Sequence, residues 1–179
     1  AKASHAVLST RMFKPGDKAD THRPVHKIVA EYLAADYLTK RAANPTDALT
    51  FEKLLPVIAP NSIVRDELRG LLGWMASLGN RRIQEAAIAL DPYAVLANGD
   101  PSQLEPRSKR LLVNRLKEIE EKDPYFRRGD FWRRFSVAGF FTSEVVSDIK
   151  PLLSESTEGH LRDLVLELLA GSPAIKHLT

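Results

Sequence analysis

Apolar residues recur at helical spacing between Pro24 and Lys40, and this is the clearest amphipathic pattern in the chain. Small and charged residues fill the other positions, and Asp36 and Lys40 form an i,i+4 pair in the favourable order. The spacing therefore predicts a helix that is held by its apolar stripe between neighbouring helices. The stripe consists of Val25, Ile28, Val29, Tyr32, Leu33 and Leu38.

The residues before this helix follow a different pattern. Residues 6–13 alternate in a way that suits a strand, Pro15, Gly16 and Asp17 supply turn residues, and residues 21–25 could return antiparallel. We therefore expect a short β-hairpin or an extended arm over residues 1–24, which packs on the helices or once belonged to a domain that has been cut away.

After Lys40 the periodicity is helical almost throughout. Polar capping residues and prolines set the expected ends of these helices. The predicted helices cover residues 51–58, a start at Asn61 or Ser62 through Leu78, residues 80–90, residues 106–122, residues 142–153 and residues 157–170, with a further start at Ser172-Pro173. Residues 93–96 form a small apolar patch between two of them.

Short helices joined by short loops are typical of a helical array. Residues 67–72 and 160–165 also echo each other weakly, at about twice the period of HEAT-type repeats. The predicted fold is therefore all-α, a HEAT-like α-solenoid of short antiparallel helices over residues 25–179 that is truncated at its C-terminus.

The composition limits the kinds of binding site and cross-link that this chain can form. The 179 residues carry a formal charge of only +3, which does not establish nucleic-acid binding, and the absence of cysteine excludes disulfides and thiolate metal sites. The first ten residues lack the long apolar region of a signal peptide, so we expect none, and no apolar run in the sequence is long enough to span a membrane. We expect a cytoplasmic protein without a membrane partner.

Motifs for catalysis are missing from the sequence. The nine glycines stand singly and form no phosphate-binding loop. His22 and His26 have a spacing that could suit a metal, but Pro24 lies between them and no third ligand stands nearby. We therefore expect no catalytic residue, no metal site and no cofactor, and we interpret the chain as a non-enzyme.

A basic and aromatic segment over residues 125–135 offers a different function. Its arginines alternate with aromatic side chains, a combination that can bind phosphates and stack on bases. Alternatively, the aromatic residues lie in the core and the arginines pair with nearby acids. The candidate contacts for a ligand or nucleic acid are Arg127, Arg128, Trp132, Arg133 and Arg134.

Three segments together resemble one protein family. The run Leu8–Phe13, a turn, and then VHKIVAEYLAA over residues 25–35 resemble the segment downstream of the ATPase in bacterial NACHT-type STAND NTPases. Residues 67–76 (ELRGLLGWMA) and residues 91–100 (DPYAVLANGD) resemble the next helix and loop of those proteins. Lys27, Ile28 and Asp36 depart from the pattern.

The resemblance implies a role within a larger protein. It places an ATP-driven switch module N-terminal to this chain, as its partner, and a helical-repeat sensor for an unknown trigger within and beyond it. The helix from Val25 to Lys40 would be the joint, with His26, Val29, Glu31, Tyr32 and Leu33 packed between domains. We therefore expect Tyr32 and Leu33 to be buried in the longer protein, and residues 1–24 to be the remnant of its winged-helix region. A stand-alone helical-repeat module that binds nucleic acid through residues 125–135 is the alternative.

Overall fold

The computed structural model describes residues 11–127, 129, 135, 139–154, 159–170 and 172–177. The chain is mostly helical and carries one small antiparallel sheet of two strands. The helical class and the N-terminal hairpin predicted from the sequence are therefore confirmed.

Within the described residues, the strands of the hairpin are placed differently from the sequence prediction. Strand β1 is Phe13–Pro15 and strand β2 is His22–Pro24, with Phe13 opposite Pro24. Beyond the strands, the N–H of Val25 donates to the carbonyl of Met12 at 2.9 Å. Met12 therefore lies beside the residues that lead into the first helix, whereas residues 6–10 of the predicted strand lie outside the described residues.

The α-helices are short, apart from the first and the sixth. In chain order they are α1 (Lys27–Ala43), α2 (Phe51–Ile58), α3 (Arg69–Leu78), α4 (Arg81–Leu90), α5 (Pro92–Ala97), α6 (Pro106–Lys122), α7 (Ser143–Val146), α8 (Lys150–Ser154) and α9 (His160–Leu169). Single turns of 3-10 helix cover Pro60–Ser62, Asp66–Leu68, Pro101–Gln103, Ser147–Ile149 and Pro173–His177.

Side-chain caps fix several of these starts. Asn80 accepts the N–H of Ile83 at 3.2 Å at the beginning of α4. Asp91 accepts the N–H of Ala94 at 2.7 Å at the beginning of α5, directly before Pro92. Each cap satisfies a backbone donor that the first helical turn leaves open, so the sequence pattern marks these boundaries well.

Other boundaries differ from the prediction. Asn61 and Ser62 do not start a helix, because both adopt left-handed conformations with φ of 55° and 63°, and α3 begins only at Arg69. The predicted helix over residues 142–153 is divided into α7, a 3-10 turn and α8. Residues 93–96, which the sequence analysis left as an apolar patch, form most of α5.

Helix α3 lies at the centre of the N-terminal half. It packs against α1, α4 and α5, and it buries Leu72, Met75 and Ala76 completely. The same apolar core continues through α6 to α9, whose inward residues include Leu116 and Leu164. The surroundings of α3 therefore position the residues discussed next.

Candidate functional site

The inner face of α1 is narrow and made of small residues. Ala35 is fully buried and Thr39 nearly so, and the Thr39 hydroxyl donates to the carbonyl of Ala35 at 2.7 Å. Small side chains let two helices approach closely, so α1 lies tightly against α3 along this line. Of the predicted stripe, Leu38 packs against the core and Val29 is half-buried.

Most of the predicted apolar stripe is exposed in this chain, so the helices that follow do not cover Tyr32 and Leu33, and their packing between domains of a longer protein stays a prediction. Leu33 and Tyr37 each stand two residues from Ala35, which places them about 160–200° around the helix from the buried line. Ile28 and Tyr32 lie within about 60° of the buried line, at the end of α1 where Trp74 of α3 contacts Tyr32. We call all the exposed apolar residues of α1 and its start the outer apolar face of α1. The face comprises Val25 (40% exposed), Ile28 (57%), Tyr32 (40%), Leu33 (42%) and Tyr37 (58%).

Glu31 connects α1 to α3 through a glycine. Its side chain is only 16% exposed, and a Cβ placed on Gly70 would lie 2.2 Å from its Cδ. Glycine at position 70 therefore makes the space that the carboxylate occupies. Glu31 forms an ion pair with Lys27, whose Nζ lies 3.3 Å from Oε1 and whose side chain is 68% exposed.

The first turn of α3 is connected to α5 by an ion pair. The Arg69 guanidinium donates to the Asp91 carboxylate through Nε at 3.0 Å. Because Asp91 also caps α5, one carboxylate fixes the start of one helix against another. Gly70 is the next residue along α3, and the Glu31 carboxylate of α1 packs against it. Helices α1, α3 and α5 therefore meet within one turn of α3.

A second close approach holds the loop after α5 against α3. A Cβ on Gly73 would lie 2.4 Å from the carbonyl oxygen of Asn98, and Gly99 has φ of 80°. The N–H of Asp100 donates to the hydroxyl of Ser77 at 2.7 Å. The segments that carry the family resemblance thus converge at one place, which we call the α1–α3–α5 junction. It comprises Glu31, Arg69, Gly70, Gly73, Trp74, Asp91, Asn98 and Gly99.

A cleft opens at this junction, at the N-terminal end of α1. Its volume is about 460 Å³, and it is lined by Lys27, Ile28, Glu31, Trp74, Ala97, Asn98 and Gly99. A smaller hollow of about 190 Å³ shares three of these residues and adds Asp66 and Arg69. Trp74 forms one wall, and its ring meets Tyr32 edge-on with centroids 5.2 Å apart. The junction cleft therefore adjoins the outer apolar face of α1.

The residues of the basic and aromatic segment are described only in part. Arg127 is buried, its Nη2 lies 3.2 Å from a Glu167 oxygen, and its guanidinium lies 5.0 Å from the centre of the Phe135 ring. This geometry matches the structural role considered for these arginines. Arg128, Trp132, Arg133 and Arg134 lie outside the described residues, so nucleic-acid contact there stays a prediction.

The histidines and carboxylates of the described part of the chain form no metal centre. Within that part, no three His, Cys, Asp or Glu residues are grouped in a way that could hold a metal ion. His26 is exposed and precedes α1 without capping it through its side chain. The same part contains no helix of the length and apolar character needed to cross a membrane.

Sequence reasoning missed the role of Trp74 and of the glycines in α3. Trp74 is half-buried, packs against the core and also forms a wall of the cleft. Two glycines within one helix are unfavourable unless something approaches the backbone, and that spacing was the available signal. No protein-family model, curated protein or solved structure matches this chain.

Proposed function

We propose that this chain is a non-catalytic scaffold segment of a larger ATP-dependent signalling or defence switch of the NACHT-type STAND kind. In this proposal α1 is the docking element for the switch module that precedes it. The observation that carries the proposal is the outer apolar face of α1. Five large apolar side chains are exposed on and next to one helix, and clustered exposed apolar residues are typical of interaction sites.

The position of the hairpin supports this choice of partner. Because Met12 is hydrogen-bonded to Val25, the chain that leads into β1 runs beside the start of α1. A module connected through residues 1–10 is therefore held close to the outer apolar face. Tethering of this kind raises the effective concentration of a partner without any additional contact.

In this proposal the helices are arranged as a HEAT-like α-solenoid. Its support is that helices pack mainly on near neighbours in the chain: α1 on α3, α3 on α4 and α5, and α4 and α5 on α6. In such an array a displacement of the first helix reaches the next repeat through its contacts. A switch module that moves α1 would act on α3 and α5 through Glu31 and Gly70.

Substitutions in the longer protein test the docking surface. Leu33→Lys and Tyr37→Lys place charges on the outer apolar face, and each should weaken docking by about tenfold or more if these residues are buried centrally in the interface. Val57→Lys is the matched control, since Val57 of α2 is as exposed as Tyr37. In the isolated chain all three variants should keep the free energy of unfolding within about 0.5 kcal/mol.

Three results would each overturn a part of the proposal. If the isolated chain dimerises in sedimentation experiments and Leu33→Lys abolishes the dimer, the face is covered by a second copy and not by a switch module. If the coding sequence upstream of Ala1 contains no phosphate-loop motif, the assignment to an ATP-dependent switch is wrong. Normal ATP-dependent signalling by the Leu33→Lys and Tyr37→Lys variants would refute the role of α1.

A further inference from the structure

We infer that the junction cleft binds an arginine side chain supplied by the docked module. This inference rests on the proposed function, because it names the group that the partner inserts next to the outer apolar face. Three features of the cleft point to arginine: an underused carboxylate at its base, an aromatic wall, and an apolar edge.

The carboxylate of Glu31 has capacity for more hydrogen bonds. Its side chain is 16% exposed, and the ion pair with Lys27 at 3.3 Å uses one of its oxygens. A carboxylate can accept about four hydrogen bonds, and a guanidinium offers paired donors with matching spacing. A second acceptor lies nearby, because the Asn98 amide nitrogen donates to the carbonyl of Ala94 and no described residue donates to its Oδ1.

The walls of the cleft suit the rest of an arginine side chain. Trp74 is the aromatic residue that attracts cations most strongly, and arginine stacks on aromatic rings better than lysine does. Ile28 is 57% exposed at the edge of the cleft and would cover the aliphatic part of the side chain. Arginine and tryptophan are also the residues most enriched where interfaces gain their affinity.

The Lys27 ammonium, which pairs with Glu31 in this structure, can be displaced from the cleft by an incoming cation. Lys27 precedes Glu31 by four residues, which is the less favourable order for a helical pair, and its side chain is 68% exposed. Because the Lys27 ammonium is largely exposed to water, the pair contributes little to stability. Arg69 is hydrogen-bonded to Asp91, whereas Asp66 brings a further carboxylate to the adjoining hollow. An incoming guanidinium therefore meets acceptors once the Lys27 ammonium turns away.

Nuclear magnetic resonance titration of the isolated chain tests the inference. The probe is Nα-acetyl-arginine amide, the uncharged comparison is Nα-acetyl-citrulline amide, and the anionic comparison is Nα-acetyl-glutamate amide. The readout is the indole N–H signal of Trp74, which Trp132→Phe distinguishes from that of the second tryptophan. We expect saturable millimolar binding of the arginine probe, and weaker binding by at least about tenfold for the citrulline probe, since a charge-assisted bond is lost.

Three variants separate the possible outcomes. Glu31→Gln should lower the affinity for the arginine probe by about tenfold. Asp36→Asn, on the same helix and outside the cleft, should leave that affinity unchanged. Lys27→Met should tighten binding, because it removes the competing cation. Loss of binding in Lys27→Met, preference for the glutamate probe, or no saturable shift with the arginine probe would overturn the inference.

Failure of this inference can be distinguished from failure of the proposed function. If Leu33→Lys abolishes docking in the longer protein while Glu31→Gln docks normally, the outer apolar face is the docking site and the cleft takes no arginine. If the arginine probe binds and neither variant affects docking, the cleft is a binding site but α1 does not hold the switch module.

Discussion

Replacing Gly73 by alanine should destabilise the chain, although alanine is the better helix former. A Cβ at this position would lie 2.4 Å from the carbonyl oxygen of Asn98 and 2.6 Å from its carbonyl carbon. These are backbone atoms of the loop that follows α5, so relief requires α3 and that loop to move apart. Forcing a methyl group into a packed contact costs about 1–3 kcal/mol, often more against backbone.

The helix propensity of alanine offsets part of that cost. Alanine in place of glycine inside a helix gains about 0.5–1 kcal/mol. Because the clash is with backbone atoms, we expect the upper end of that cost, and the net loss for Gly73→Ala should therefore be about 2 kcal/mol. In a chain of this size the melting temperature falls by about 2–4 °C for each kcal/mol. Urea unfolding followed by circular dichroism measures the free energy, and thermal unfolding measures the shift.

Gly70→Ala is the matched control, because it lies in the same helix and gains the same propensity. Its new Cβ would meet the carboxylate end of Glu31, which is a flexible side chain that can rotate away. We therefore expect Gly70→Ala to be clearly less destabilising than Gly73→Ala and to expose Glu31. A Gly73→Ala variant as stable as the parent chain, or more stable than Gly70→Ala, would refute the close approach of α3 and the loop after α5.

Three further predictions concern capping and charge. Asp91→Ala should cost about 1–2 kcal/mol in chemical unfolding, because it removes both the cap of α5 and the Arg69 pair, whereas Asp91→Asn keeps a capping oxygen and should cost clearly less; equal losses would contradict the cap. The Arg41 guanidinium donates to Asp47 and holds its pKa at about 2, below the ordinary 3.8, so its stabilising effect is complete above pH 3.8 and disappears toward pH 2. The melting temperatures of the parent chain and Asp47→Asn should therefore converge over this range, and a constant difference would contradict the pair. Burial lowers the pKa of Lys109 below the ordinary 10.5, so the unfolded chain binds the extra proton between the two values. The parent chain should consequently gain stability relative to Lys109→Met as the pH rises through that window, and an opposite slope would show that the ammonium is not desolvated.

Local signals in the sequence predicted the helix boundaries well where a cap or a proline marks them. Helix α2 has both of its predicted ends, α4 follows Asn80, and α6 begins at Pro106. These boundaries depend on backbone donors and prolines within a few residues, so the sequence contains the relevant information. The start of α3 could not be predicted in this way, because Asn61 and Ser62 are equally compatible with a left-handed turn.

The orientation of α1 could not be predicted from its apolar pattern. Periodicity shows that one side of a helix is apolar, but it does not show which partner covers that side. In this structure the buried residues of α1 are the small Ala35 and Thr39, whereas Leu33 and Tyr37 remain exposed. The junction has the same origin, because Gly70 and Gly73 become meaningful only when Glu31 and Asn98, distant in sequence, lie against them.

The two sides of α1 have different physical roles. This difference suits a helix that transmits movement from a docked module to α3 better than it suits a simple core helix. Its inner side approaches α3 through small residues, so a slight rotation or shift of α1 would immediately press on the backbone of α3. Its outer side exposes large apolar side chains. Burying them against a second domain would contribute several kcal/mol of binding free energy. Glu31 belongs to the tight side yet reaches the junction cleft, so a group bound there would act on the contact at Gly70. Movement of a docked module would thus pass to α3 through packing, and to α5 through Arg69 and Asp91, without any flexible linker between them.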